Sequence, residues 1–279
     1  MIIDWLRLNG RKYLHHYLWP SRLHSRLFNF DYYYEGKNND LRINLGAGPY
    51  FKKNGWISTD FLSDFKKIKK NDGIVYLDLK KNLDKLPFRD VKAFYLSHVL
   101  EHFRVSDAIR LLKSTYHSMD MGGVLRIVVP DAELIINKTK KQDLEYFKPL
   151  IPYFKEEDRL SLKPVDMMIH LLCSPACRFN HGNAEMPPQL VTDEFSDILH
   201  KSNHEIINLL NNNQFENNQS GSYHLSCYDA ELLTNLLKQA GFSLVYKSAF
   251  MQSNYGPMRE VPLFDGTHPW FSLYVECVK

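Results

Sequence analysis

Between residues 41 and 130 the chain alternates short apolar runs with amphipathic stretches. Residues 41–45, 56–60, 74–78, 93–97 and 124–129 are short and apolar enough to read as strands of a parallel sheet covered on both faces. Between the last two, residues 106–119 carry Ile109, Leu111, Leu112 and Tyr116 at helical spacing, with Gly122-Gly123 as the expected stop. Strand and helix in alternation predict an α/β fold with a doubly wound, mostly parallel sheet.

The pattern returns near the carboxyl end. Residues 229–239 place Leu232, Leu233, Leu236 and Leu237 on one stripe before Gly241, and strand-like runs follow at 242–246 and 271–278. About a hundred residues between these halves break the alternation, with helical pieces near 132–139, 165–172 and 194–210. They read as a largely helical insertion capping the sheet's carboxyl edge. The expected division is an amino-terminal extension over 1–40, a Rossmann-like core over 41–131, the cap over 132–228, and the core's return over 229–279. The Asn-rich stretch 211–219 reads as a loop.

Composition narrows the class. A 279-residue chain that is 44% apolar can bury a substantial core, and a formal charge of +3 spread along it gives no sign of a nucleic-acid partner. Without a signal peptide, Cys173, Cys177, Cys227 and Cys277 read as reduced thiols, and a cytoplasmic location is expected. No apolar segment approaches the roughly 18 residues a membrane span needs. Residues 1–30 are basic and amphipathic, with Trp5, Leu6, Leu14 and Leu18 among Arg7, Arg11, Lys12 and Arg22. Such a segment packs on its own core or a partner, and also suits peripheral contact with an anionic membrane face.

The candidate chemistry starts where the first run meets Gly46-Ala47-Gly48. A Gly-x-Gly turn after a strand admits close ligand approach, and Asp60, ending the next run, can accept hydrogen bonds from ribose hydroxyls. The pair points to a nucleoside-containing cofactor. Tyr50 and Phe51 stand where the dinucleotide fingerprint has its third glycine, which ranks a nicotinamide oxidoreductase lower. The order of parts is more specific: Asn44-Leu45-Gly46-Ala47-Gly48, Gly55–Asp60, Asp78-Leu79, Ser97-His98-Val99-Leu100-Glu101-His102, then Gly122–Asp131.

This series resembles the class I S-adenosylmethionine-dependent methyltransferases, in particular small enzymes associated with bacterial surface-glycan synthesis. The resemblance covers residues 41–131 and resumes over 222–241 and 272–279. It implies S-adenosyl-L-methionine as cofactor, held by Asn44, Gly46, Ala47, Gly48, Asp60, Phe61, Asp78, Leu79, Ser97 and His98. Asp78 also reads as a helix cap. The implied acceptor is a small molecule or glycan, methylated on a sugar hydroxyl. An alcohol is a poor nucleophile at neutral pH, and histidine, with an ordinary pKa of about 6.5, suits the task of base. His98, His102 and His224 are the candidates, with His98 first. A non-catalytic cofactor-binding scaffold is the alternative.

The His98-x-x-Glu101-His102 spacing would put three groups on one face of a helix. Literally read it is the inverted zinc-peptidase motif, which needs a third protein ligand. Some metal-assisted O-methyltransferases carry Glu-x-x-Glu-His at this junction, where this chain has His98 for the first glutamate. A hydrogen-bonded junction explains the spacing equally, and no metal is expected. His170, Cys173, Cys177 and His181 are ligand types in close succession but match no familiar zinc spacing. Tyr146, Phe147, Tyr153, Phe154 and Phe179 could stack on a sugar or serve as core.

Overall fold

The structure, a computed structural model, describes residues 34–35, 41–48, 51, 53–61, 74–154, 156–173, 198–212, 224–261 and 263–279. The expected amphipathic segment 1–30, Cys177, Phe179, His181 and most of the Asn-rich stretch lie outside these residues. Among the described residues, no helix is long and apolar enough to cross a membrane.

Seven strands form the central sheet in the order β4-β3-β2-β6-β7-β9-β8. They are β2 (Leu41–Leu45), β3 (Ile57–Asp60), β4 (Ile74–Tyr76), β6 (Val91–Ser97), β7 (Met119–Pro130), β8 (Leu244–Ser248) and β9 (Ser272–Val278). Neighbours from β4 to β7 pair in parallel, and β9 runs antiparallel to both β7 and β8. A two-residue ribbon, β1 (Tyr34–Glu35) against β5 (Phe88–Arg89), stands apart. The fold is the mostly parallel, doubly wound Rossmann-like sheet that the alternation predicted.

Alternation along each strand splits the core. Phe94 and Leu96 of β6, Leu125, Ile127 and Val129 of β7, and Leu273, Val275 and Cys277 of β9 point to one face, against helices α1 (Val105–Ser118) and α6 (Ala230–Ala240). Ala93, Tyr95, Val128 and Tyr274 point to the other, where Phe51, Trp56, Met258 and Phe264 cover them. Burying each such aliphatic or aromatic side chain contributes roughly 1.5–3 kcal/mol. Arg126 sits on that second face with no exposed surface; its guanidinium donates to both carboxylate oxygens of Asp265, at 2.9 and 2.5 Å, and to Glu276 at 3.3 Å.

Helix α6 begins at Asp229, whose carboxylate accepts from Leu232 N–H at 2.7 Å, and ends at Gly241 in the left-handed region at φ +117°, as the leucine stripe predicted. The expected stop of α1 is different. The helix ends at Ser118 and passes directly into β7, so Gly122-Gly123 lie inside a strand. A Cβ on Gly123 would stand 2.9 Å from the Val91 carbonyl oxygen, and the β6–β7 register shifts between Val91 and Ala93. These glycines therefore serve a strand irregularity rather than a helix cap.

Helices α2 (Ala132–Lys140), α3 (Leu144–Phe147), α4 (Pro164–Leu172) and α5 (Asn203–Asn212) build a second apolar cluster. It begins where β7 ends: Asp131 N–H donates to the Phe271 carbonyl at 2.8 Å and Ala132 N–H to the Tyr228 carbonyl at 2.9 Å. Phe147 and Phe154 are buried in this cluster and so are core, not stacking surfaces. Cys173, Cys227 and Cys277 are buried and form no disulfide.

Candidate active site at the switch point

The chain lays down β2, β3 and β4 outward in one direction and then crosses back to place β6 on the other side of β2. In open α/β sheets a ligand crevice opens outside the carboxyl ends of the strands where the winding reverses. Here those ends are Gly46 after β2 and Ser97-His98 after β6, paired through Leu45 and Leu96.

On the β2 side, Gly46 and Gly48 both adopt left-handed backbone, at φ +66° and +64°. A Cβ on Gly46 would stand 2.4 Å from Val99 Cγ2, whereas one on Gly48 would meet nothing within 4 Å. The first glycine lets the turn pack on the junction after β6, and the second presents bare backbone to open space. Ala47 N–H donates to the Thr59 carbonyl at 2.9 Å, and Asn44 is buried in β2 with its carbonyl accepting from the Thr59 hydroxyl. Gly48 N–H donates to Asp60 Oδ2 at 2.6 Å, fixing the carboxylate beside the turn. Burial raises the Asp60 pKa, partly offset by the N–H groups of Gly48 and Phe61. Phe61 is 50% exposed and its ring lies 5.7 Å from that of Tyr76.

Asp78 follows β4 and takes up the helix-cap role its position beside Leu79 also allowed. Its carboxylate accepts from Lys80 N–H at 3.1 Å, capping a one-turn helix over Leu79–Lys81, and Lys81 Nζ lies 3.3 Å away. Leu79 is buried in the main core. Ser97 closes β6 with its Oγ buried and making no hydrogen bond of good geometry, although the Tyr95 hydroxyl is within reach.

On the β6 side, His98 holds left-handed backbone at φ +53°, uncommon for a residue with a side chain, and its N–H donates to the Val128 carbonyl at 2.8 Å. The turn that follows is a single 3-10 turn, Leu100–His102, so His98 does not share a helix face with Glu101 and His102 as the spacing suggested. The kink nevertheless brings His98 Nδ1 to 3.1 Å from Glu101 Oε1, and Nε2 to 3.0 Å from Ser272 Oγ. The rings of His268 and Phe271 lie 5.6 and 5.8 Å from His98. Ser272 Oγ also lies 2.8 Å from the His268 carbonyl.

Glu101 is 1% exposed, and neither carboxylate oxygen has a hydrogen bond of good geometry, although His98 Nδ1 stands close to Oε1. Burial opposes its ionisation, but His98 and the neighbouring imidazoles of His102 and His224 outweigh burial and hold its pKa down at about 2. His224 is brought in from far along the chain because the Glu101 carbonyl accepts from Leu225 N–H at 2.6 Å and Ser226 N–H at 3.2 Å. Its ring stands 5.0 Å from that of His102, and its Nδ1 donates to the Leu171 carbonyl at 2.7 Å. Burial pushes its pKa down to about 4. His170 packs against Phe154, and Cys173 lies in the second apolar cluster.

Thus Asn44, Gly46, Ala47, Gly48, Asp60, Ser97 and His98 gather at the strand ends, with Phe61 at the crevice rim. Asp78 is engaged in a cap, and His102 and His224 form a second group joined to His98 through Glu101. Sequence reasoning missed Ser272 and His268, which reach the site from the start of β9 and the turn before it. No local pattern marks either one.

No family model matches the chain, and no curated protein matches it. Solved structures resemble it. A SAM-dependent methyltransferase from Archaeoglobus fulgidus is 13% identical over 92% of this chain and 93% of that one, with a TM-score of 0.40. An S-adenosylmethionine-dependent methyltransferase from Mesorhizobium loti is 15% identical over 85% and 90%, with a TM-score of 0.39. Human N-acetylserotonin methyltransferase in complex with SAM is 11% identical, with a TM-score of 0.38; the match covers 91% of this chain and 50% of that one. At such identities the functional reading rests on the site itself.

Proposed function

We propose that this chain is an S-adenosylmethionine-dependent O-methyltransferase in which His98 takes the proton of an acceptor hydroxyl. The observation that carries the reading is the pairing, across one switch-point crevice, of a glycine turn locked to Asp60 with a strained histidine locked to Glu101. The residues present fit the cofactor. Gly48 offers bare backbone facing open space, Asp60 a half-buried carboxylate for ribose hydroxyls, and Phe61 an exposed ring for adenine. When bound, S-adenosylmethionine supplies a sulfonium-activated methyl group for in-line displacement by the acceptor oxygen.

The chain's own residues do the rest. Glu101 holds the proton on Nδ1 of His98, which leaves Nε2 as the accepting nitrogen and stabilises the imidazolium formed. Ser272 orients that nitrogen now and yields the position to the acceptor. His224 is a poor base, because a group with a pKa near 4 binds a proton weakly at neutral pH. The helical cluster beyond β7 excludes competing water. A sugar or other small-molecule alcohol as acceptor follows from the resemblance of the motif series alone.

Calorimetric titration of the purified chain tests the cofactor half, with nicotinamide dinucleotide and nucleotide sugar as controls. Micromolar binding of S-adenosylmethionine alone is expected; no binding overturns the reading. His98→Asn tests the base, because Asn tolerates left-handed backbone. Methyl transfer should fall about 10²–10⁴-fold with cofactor affinity nearly unchanged. Unaltered turnover would move the role to another group.

A further inference from the structure

We infer that Glu101, His102 and His224 form a binding site for one divalent transition-metal ion of the zinc type. One carboxylate oxygen and one nitrogen of each imidazole lie within 4.8 Å of one another. Ligands on one such ion stand about 3.3 Å apart in a tetrahedron, as follows from metal–ligand distances of about 2.0–2.2 Å. Side-chain shifts of about an ångström close the gap.

Three features distinguish this group from a chance cluster. Glu101 is a fully buried carboxylate that meets His98 Nδ1 at 3.1 Å through Oε1 and leaves Oε2 without a hydrogen bond, an arrangement that costs several kcal/mol unless a further positive charge faces it. His224 donates Nδ1–H to the Leu171 carbonyl, which fixes its tautomer and turns Nε2, the ligating nitrogen, away from that carbonyl. A carbonyl behind the far nitrogen is the usual outer partner of a metal-bound histidine. The two backbone hydrogen bonds from Leu225 and Ser226 to the Glu101 carbonyl pin the His224 segment to the turn carrying the other two ligands, so the set is preassembled. A structural junction needs those backbone bonds, and His98 engages only Oε1 of Glu101, so Oε2 is left for a further positive charge.

Two imidazoles and one carboxylate suit zinc, cobalt or iron(II); magnesium prefers an all-oxygen shell. Three protein ligands leave at least one position open, as catalytic metal sites do. Glu101 also contacts His98, so an ion here lies one carboxylate away from the proposed base. An acceptor oxygen taking the open position would lose its proton more readily. That catalytic use rests on the methyl-transfer reading, whereas binding of the ion does not.

The test is calorimetric titration of the full, chelator-stripped chain with Zn²⁺, and separately with Mg²⁺. One equivalent of Zn²⁺ at micromolar affinity or tighter is expected, weakened at least about 100-fold in His102→Gln and in His224→Gln, which remove ligating nitrogens but keep polar side chains. Zinc should also shield His102 and His224 of the unaltered chain from carbethoxylation mapped by mass spectrometry, a readout that needs no variant. Equal zinc affinity in both variants, Mg²⁺ binding as tight as Zn²⁺, or no shielding overturns the inference. S-adenosylmethionine titrated into the same samples separates the two readings. Cofactor without zinc sinks only the metal site, and zinc without cofactor sinks only the methyl-transfer reading.

Discussion

Gly46→Ala isolates the contact that joins the two sides of the crevice. Two costs add in this variant. An alanine in left-handed backbone, at the φ of +66° that Gly46 holds, costs about 1–2 kcal/mol. Its Cβ would stand 2.4 Å from Val99 Cγ2, so the buried valine must leave its rotamer or push the turn outward, an overpacking cost of about 1–3 kcal/mol. The expected loss is therefore about 2–5 kcal/mol. Val99→Ala alone removes two methyl groups and costs about 1.6 kcal/mol at about 0.8 kcal/mol per carbon, plus a small cavity contribution. In the double variant the clash is gone, and the backbone strain and the lost valine burial remain. Its loss should then fall short of the sum of the two single losses by about 1–3 kcal/mol.

Urea unfolding followed by tryptophan fluorescence measures all four corners of this cycle, with unchanged slopes as the check that the same surface unfolds. Additivity within about 0.5 kcal/mol would refute the packing of Gly46 on Val99. Gly48→Ala is the internal contrast. With nothing within 4 Å of its Cβ, it should cost only the backbone strain of about 1–2 kcal/mol, yet weaken S-adenosylmethionine binding at least tenfold if the cofactor approaches this bare backbone as proposed.

Other perturbations read other parts of the molecule. Arg126→Met leaves Asp265 and Glu276 buried without their cation and should lower stability by about 3–5 kcal/mol by scanning calorimetry; a loss under about 1 kcal/mol would show the network to be dispensable. Because Asp60 has a raised pKa, its ionised form weakens the fold, and its contribution to stability is lost as pH rises through that pKa. Cofactor affinity runs the other way, since ribose hydroxyls need the carboxylate: it should fall on acidification from a higher pH than an ordinary aspartate's, about 3.9, and Asp60→Asn should abolish that step. Burial pushes the Cys227 and Cys277 thiols up, so neither should take a maleimide at neutral pH before the chain unfolds, as peptide mapping would show.

The legible parts of this chain are those whose cause is local. Gly46-Ala47-Gly48 follows a strand and Asp60 ends the next, so the cofactor side could be read from adjacent residues; likewise α6, with Asp229 before it and Gly241 after it. Local ambiguity misled elsewhere. Gly122-Gly123 suits a helix stop and a strand irregularity equally, and only the approach of the Val91 carbonyl decides between them. Asp78 beside Leu79 suits a ligand contact and a cap alike, and the Lys80 N–H shows the cap without bearing on the contact. Arg126 hides inside the apolar run of β7 because its counter-charges lie 139 and 150 residues further on.

The acceptor side was illegible for the same reason, and this difference has a mechanistic consequence. His98 is held by Glu101 three residues away but also by Ser272, 174 residues away, and His224 reaches Glu101 only because two backbone hydrogen bonds fold its segment onto the turn. The cofactor side is built within one β–turn–β unit, whereas the reacting side requires β6, α4, the segment before α6 and the start of β9 to be docked together. Loosening those long-range contacts should therefore lower turnover well before it lowers cofactor affinity. Ser272→Ala, which frees His98 Nε2 without touching Gly46, Gly48 or Asp60, should reduce kcat while leaving the S-adenosylmethionine Kd in place. A matched loss of both would mean that the two sides form one cooperative unit, and that the Gly46–Val99 contact transmits strain from one to the other.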